Sequence, residues 1–250
     1  MAYRRLPLKG LCNARDLGGH QTTRGVTRFG AVLRCEAPRA LTAEDIGFLR
    51  RYGVTVSIDF RGDKEVRRHP SSLDGVPGIE YRRVPTYDAQ LAFAVVGTTG
   101  EFMSWGDKYI ALIENARDWV RDVLQTIAGS SGGVICNCTT GKDRTGVISA
   151  LLLGLCGVPD DDIIADYCVS EIYLKDAYGA LLSNEPGKTV EVDPQSPYLR
   201  TAPENMSALL GYLADCGGVE AYLKTCGVTP DGVAALREKL IAPWPESVIY

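Results

Sequence analysis

The sequence predicts an α/β fold with a central, mostly parallel sheet flanked by helices. Short runs rich in β-branched residues recur at 30–35, 54–60, 79–84 and 134–138. Segments with helical periodicity stand between and after them, at 41–53, 107–127 and 144–155. Strands that alternate with helices imply crossover connections and parallel pairing. The chain has 250 residues and 45% hydrophobic content, within the range of a single α/β domain with a sizeable core.

Residues 10–20 form a glycine-bounded element in which Arg15 and Asp16 precede Gly18 and Gly19. Two readings fit it: a surface turn with an internal ion pair, or a support for a neighbouring loop. A helix should start at Thr42, which can cap it, with Asp45 three residues on to complete a capping box. The run 54–60 reads as a buried strand that delivers Asp59 and Arg61 to its carboxyl end, where ligands of open α/β sheets bind. Arg61 there can reach a substrate anion or pair with Asp59, Asp63 or Glu65. Residues 85–106 lack a pattern and are expected to edge the site. In 107–127, Tyr109, Leu112, Ile113, Ala116, Trp119, Val120, Val123 and Leu124 recur at three- and four-residue steps, which predicts one long helix capped by Asp107. A glycine-serine break at 129–133 precedes the central strand. Pro159 and Asp160–Asp162 suit another helix start, because proline fits the first turn and acids complement its dipole. Residues 184–203 hold four prolines and read as a loop, a candidate lid. Helices resume at 204–215, 219–225 and 230–241.

Composition removes several function classes. A net charge of −4 gives no general basis for nucleic-acid binding. The 144–155 apolar run is too short to cross a bilayer, and the N-terminus has no apolar signal core, so no transmembrane segment is expected. A cytoplasmic location follows, with export by a route that needs no cleavable signal as the alternative. The eight cysteines show no metal-ligand spacing, and no metal or cofactor is expected. Cys136 reads as a core residue, with a regulatory disulfide to Cys138 as the alternative.

The chemistry concentrates in Cys138-Thr139-Thr140-Gly141-Lys142-Asp143-Arg144-Thr145-Gly146. A turn between a strand and a helix N-terminus points its backbone N–H groups inward, and the helix dipole adds positive potential. Such a cup fits a tetrahedral oxyanion. Arg144 can close it with parallel hydrogen bonds from its planar guanidinium. The same field favours thiolate at Cys138, the nucleophilic form. Gly141 relieves the turn. The Thr145 hydroxyl, one residue past the arginine, can stabilise the sulfur. A nucleotide-binding P-loop does not fit, because Lys142 is followed by Asp143 and no glycine stands at position 136.

This loop resembles the signature of cysteine-dependent phosphatases, and Gly141–Gly146 resembles the bacterial atypical tyrosine phosphatases, which include enzymes acting on phosphoinositides. Asn13-Ala14-Arg15-Asp16-Leu17-Gly18-Gly19 and Ile58-Asp59-Phe60-Arg61, followed by Glu65, resemble two further elements of that family, in the family's order. The resemblance implies a protein-tyrosine-phosphatase-like fold with extra C-terminal helices, in a single domain over 1–250. It implies Cys138 as nucleophile, Arg144 as phosphate clamp, and Asp143 as general acid, with Asp107 and Asp59 as the alternatives. Thr139, Thr140, Gly141, Lys142, Thr145 and Arg61 would bind substrate, while Asn13, Arg15, Asp16, Asp59 and Asn137 would support the site. Lys142 either contacts further phosphates as a flexible charge or is a solvated loop residue. One position departs from the family: Asn137 stands where histidine usually precedes the nucleophile. The expected reaction is hydrolysis of phosphate monoesters through a thiophosphoryl-cysteine, on phosphotyrosine, phosphoserine or phosphothreonine, or phosphoinositides. The rival reading is a phosphate-recognition module with weak or no turnover.

Overall fold

The computed structural model describes residues 4–86, 103–193, 196 and 199–244. Among these, five strands form the main sheet: β1 (Arg15–Asp16), β4 (Val32–Cys35), β5 (Val54–Asp59), β6 (Glu80–Arg83) and β7 (Gly133–Asn137). Their order is β1-β4-β7-β5-β6, with β4, β7, β5 and β6 parallel and β1 antiparallel at one edge. The fold is thus the expected mostly parallel α/β sheet, and β7 lies at its centre. A second, three-stranded sheet joins β2 (Gln21–Thr22), β3 (Gly25–Thr27) and β8 (Ile241–Pro243). These strands are two or three residues long and lack an alternating apolar pattern, so nothing local announces them.

The two faces of the sheet bury different clusters. Val134 and Cys136 of β7 join the larger core, and Ile135 between them joins the smaller. That is the period-two alternation of a strand buried on both sides. In β5 the register against β7 shifts between Val54 and Val56. The bulge sends Val54 to the smaller core and Val56 and Ile58 to the larger.

On the smaller-core side, α1 (Ala43–Arg51) starts at Thr42, whose side chain and that of Asp45 form the expected capping box. The short α2 (Asp63–Arg68) follows β5. On the other side the expected long helix is two: α3 (Trp105–Asn115) and α4 (Arg117–Gly129), broken at Ala116 (φ −121°, ψ 40°). No glycine or proline marks the break. The Ile113 carbonyl there accepts the Tyr222 hydroxyl at 2.8 Å, so a tertiary contact replaces helix bonding. Ser104, not Asp107, caps α3, accepting from Asp107 N at 3.1 Å.

The remaining helices are α5 (Arg144–Cys156), α6 (Asp160–Leu174), α7 (Tyr178–Leu182), α8 (Pro203–Asp215), α9 (Val219–Thr225) and α10 (Pro230–Leu240). All of α5 except Gly154 is buried. It is therefore apolar all round and lies beneath the sheet's centre. Most of the stretch assigned to the edge of the site, 87–102, lies outside the described residues, as do 194, 195, 197 and 198 of the candidate lid. No helix among the described residues is long and apolar enough to cross a membrane.

Candidate active site

The central strand β7 ends at Asn137, Cys138 follows, and Arg144 opens α5. Cys138 and Arg144 therefore stand at the two ends of one turn. Cys138 is 2% exposed. The turn takes its shape from its neighbours. Gly141 has φ +69°, and a Cβ there would lie 2.3 Å from the Cys35 carbonyl oxygen. Only glycine meets both conditions. The amide of Ala37 donates to the Thr139 carbonyl at 3.1 Å, and Asn13 Nδ2 donates to the Thr140 carbonyl at 3.0 Å. Arg34 Nη2 donates to the Gly141 carbonyl at 2.7 Å. These donors engage three consecutive loop carbonyls and so fix the backbone of the loop.

Two ion-pair systems hold this shell. In the first, Glu65 grips Arg144: Arg144 Nη1 reaches Glu65 Oε2 at 3.0 Å and Nη2 reaches Oε1 at 2.8 Å. Arg144 Nη1 also donates to the Phe60 carbonyl at 3.0 Å, and Thr139 Oγ1 donates to Glu65 Oε1. The guanidinium plane is fixed before any anion arrives. Burial opposes charge on Arg144, but Glu65 and the neighbouring Cys138 sulfur outweigh it and hold its pKa above the ordinary value. Burial also pushes the Glu65 carboxyl up, and the Arg144 hydrogen bond and charge reverse this, leaving it at about 2.

A folded-state pKa below the unfolded value gives stability that is present above about 4.5 and lost as pH falls towards 2. Glu65→Gln should therefore cost about 2 kcal/mol at neutral pH, allowing for solvent at a partly exposed pair. The gap from wild type should close between pH 4.5 and 2 in urea titrations. A gap that stays constant across that window would remove the assignment.

In the second system Asp166 lies between two arginines. Arg15 Nε reaches Asp166 Oδ1 at 2.9 Å and Arg34 Nη1 reaches Oδ2 at 2.6 Å, with all three side chains at most 2% exposed. Arg15 also donates to Asn13 Oδ1 at 2.6 Å and Ser170 Oγ at 2.8 Å. Arg15 is thus not paired with Asp16 in a surface turn. Asp16 instead accepts from Gly18 N, Gly30 N and the Tyr52 hydroxyl. Burial, then the Arg15 charge, pull the Arg34 pKa down to about 10.

Arg61 has a different place from the substrate contact expected of it. It is fully buried, its Nε and Nη2 on Asp59 and its Nη1 on the His69 carbonyl at 2.8 Å. No part of it is left for an anion. Asp59 is equally occupied, also accepting the Tyr81 hydroxyl at 2.8 Å, which removes it as a proton donor. Lys142 is neither flexible nor solvated: it is 1% exposed, with Nζ 4.7 Å from the Trp105 ring centroid and 3.5 Å from Asp143 Oδ1. Asp143 itself is 15% exposed and accepts the Tyr109 hydroxyl at 2.6 Å, which in turn meets Tyr167 at 2.8 Å. Asp107 is exposed and bonded to Ser104. Asn137 is buried in the sheet, its amide donating to the Cys138 carbonyl at 3.3 Å. Thr145 Oγ1 is buried without a hydrogen-bond partner among the described residues. Burial pushes the Cys136 thiol up to about 12, which keeps it an unreactive core thiol.

Sequence reading missed the roles of Arg34, Asp166, Tyr109 and Glu65. Only Glu65 had a signal, its place four residues after Arg61.

A buried cysteine and a carboxylate-pinned arginine, at the two ends of a turn shaped by Gly141, make the anion site of a cysteine-based phosphatase. The similarity to known proteins agrees. Residues 6–242 match the tyrosine phosphatase family, and the chain belongs to it. A tyrosine-protein phosphatase of Nostoc commune is 31% identical over 210 residues, covering 80% of this chain and 70% of that one. The triple specificity protein phosphatase PtpB of Mycobacterium tuberculosis is 28% identical over 199 residues, covering 67% and 68%. The activity is that of a phosphoric monoester hydrolase.

Proposed function

We propose that the protein removes phosphate from phosphotyrosine in proteins, with Cys138 as nucleophile and Asp143 as general acid. The carrying observation is Arg144, fixed by Glu65 and near enough to Cys138 to feel its charge. The Cys138 thiolate attacks phosphorus and the bond to the leaving oxygen breaks. Asp143 supplies that oxygen's proton. Water then cleaves the phosphorus–sulfur bond, giving a proton to the Asp143 carboxylate and returning the thiolate. Arg144 and the amides of residues 139–143 carry the charge on the non-bridging oxygens. The unpartnered Thr145 hydroxyl supports a role on the sulfur as it leaves.

Asp143 is favoured over Asp59 and Asp107 by position. It is in the loop, partly open, and its Oδ1 is oriented by Tyr109 and Lys142. The family match over residues 6–242 supports a single phosphatase domain, which we place in the cytoplasm.

A second reading extends the substrates to phosphoserine, phosphothreonine and phosphoinositides. The fixed Lys142 ammonium at the site supports it, as does the triple specificity in the name of the mycobacterial relative. The rival without turnover rests on Asn137, which carries no charge beside the cysteine. Phosphate release from phosphotyrosine, phosphoserine and phosphothreonine peptides and a phosphoinositide panel tests all three. Release from none of them by folded protein would leave the recognition module.

Asp143→Asn should lower kcat on a phosphotyrosine peptide by about 10²–10⁴-fold, the usual worth of a general acid. The loss should be much smaller on p-nitrophenyl phosphate, whose leaving phenolate is a weak base. Equal losses on both substrates would take the acid role away from Asp143.

A further inference from the structure

A cavity of about 660 Å³ adjoins the phosphate loop without including any of its residues. Glu36 and Ala37 form part of its wall, and Ala37 is the residue whose amide holds the Thr139 carbonyl. The volume is that of a ligand site rather than a packing defect.

Its charge is one-sided. Arg5, Arg39 and Arg68 line it, and none of them has an ion-pair partner among the described residues. Arg39 donates to the Ala180 and Leu181 carbonyls at 3.2 and 2.8 Å, and its Nε is buried with no partner. Arg68 donates to the side-chain oxygen of Asn184 at 2.6 Å, and Arg5 lies over the Tyr173 ring. The one carboxylate in the wall, Glu36, is used by backbone: Cys12 N and Asn13 N donate to it at 2.6 and 3.0 Å. Burial, and then the charge of Arg61, bring the Arg39 pKa down to about 10, against the opposing charges of Glu65 and Glu36. Three guanidiniums without an ion-pair partner among the described residues, gathered in one cavity of a chain with net charge −4, call for an anionic ligand.

The rest of the lining says which kind. Leu8, Leu11 and Leu181 line the same cavity. A purely polar headgroup gains nothing from them, whereas a peptide that carries acidic and apolar side chains uses both. We propose that this cavity is a substrate-flank subsite that takes acidic residues of a phosphoprotein, next to the phosphotyrosine held in the Cys138 loop. The proposal rests on the phosphotyrosine reading above.

The test compares two phosphotyrosine peptides that differ only in flanking Glu or Gln, bound to Cys138→Ser protein and measured by fluorescence anisotropy. The Glu peptide should bind about five- to tenfold tighter, the effect of one or two partly screened ion pairs. Arg68→Gln and Arg39→Gln should each shrink that ratio towards about twofold. Arg39 braces α7, so Arg68→Glu provides a variant on an exposed residue, and it should reverse the preference in favour of a Lys-flanked peptide. Equal affinities for the Glu and Gln peptides, or a ratio that both variants leave unchanged, would overturn the subsite. So would a soluble inositol polyphosphate whose binding drops in the variants while the peptides bind alike, which would assign the cavity to a headgroup. Failure of the underlying reading looks different: wild type would not hydrolyse p-nitrophenyl phosphate. In that case unphosphorylated Glu and Gln peptides decide, with a persisting Glu preference supporting the cavity and its absence ending the proposal.

Discussion

Cys138→Ser is expected to abolish phosphate release, by at least about 10⁴-fold, while phosphate binding and the fold remain. The side chain is 2% exposed at the floor of the loop, so a slightly smaller hydroxyl fits without repacking. What disappears is the thiol, and the serine hydroxyl in its place is a far weaker nucleophile without a general base to activate it. What remains is the electrostatic shell. Arg144 stays pinned by Glu65, and the loop carbonyls stay held by Asn13, Arg34 and Ala37. The variant should therefore bind inorganic phosphate in calorimetry within a few-fold of wild type and unfold at the same temperature. Residual turnover within tenfold of wild type would place the nucleophile elsewhere. Loss of phosphate binding together with turnover would mean that the thiolate, rather than the arginine and amides, organises the loop.

What could be read from the sequence follows from how local each interaction is. The strand, turn and helix around Cys138 use contiguous residues, and their chemistry constrains type and spacing together. The capping box at Thr42 and Asp45 is equally local. Arg61 kept two readings because its position at a strand's carboxyl end suits a ligand contact as well as it suits the pair with Asp59; only burial decides between them. The solvated reading of Lys142 failed for a related reason. A lysine in a polar loop looks solvated, yet Trp105, 37 positions earlier, covers it. The break at Ala116 left no trace because the buried positions Leu112, Ile113, Trp119 and Val120 keep helical spacing across it. Asp166 was invisible for the strongest reason. It lies in a helix, α6, with nothing local to mark it out, and its partners Arg15 and Arg34 are 151 and 132 positions away.

Asp166 is nevertheless where the largest loss of stability is expected. Asp166→Asn keeps the shape and removes the charge, leaving Arg15 and Arg34 buried without a counter-ion. Breaking a buried pair in this way costs about 3–5 kcal/mol, a large fraction of a domain's stability, and should appear as a lower urea midpoint at neutral pH. Burial tends to raise the Asp166 carboxyl, but the Arg15 and Arg34 charges overcome this and hold it well below the usual range. Its contribution is therefore present above the ordinary value of 3.8 and is lost on acidification below it, so wild type and variant should converge in acid. The consequence reaches the active site through two short paths. Arg34 holds the Gly141 carbonyl, and Arg15 holds Asn13, which holds the Thr140 carbonyl. Replacing all three charged residues with apolar ones (Arg15→Met, Arg34→Met, Asp166→Leu) separates the two roles. Removing the desolvated charges together should restore much of the stability, as apolar replacement of buried ion networks can. Activity should not return with it, because the loop would have lost the donor on Gly141 and the brace on Asn13. If the triple variant recovered both, the network would serve packing alone and the loop would hold its shape without it.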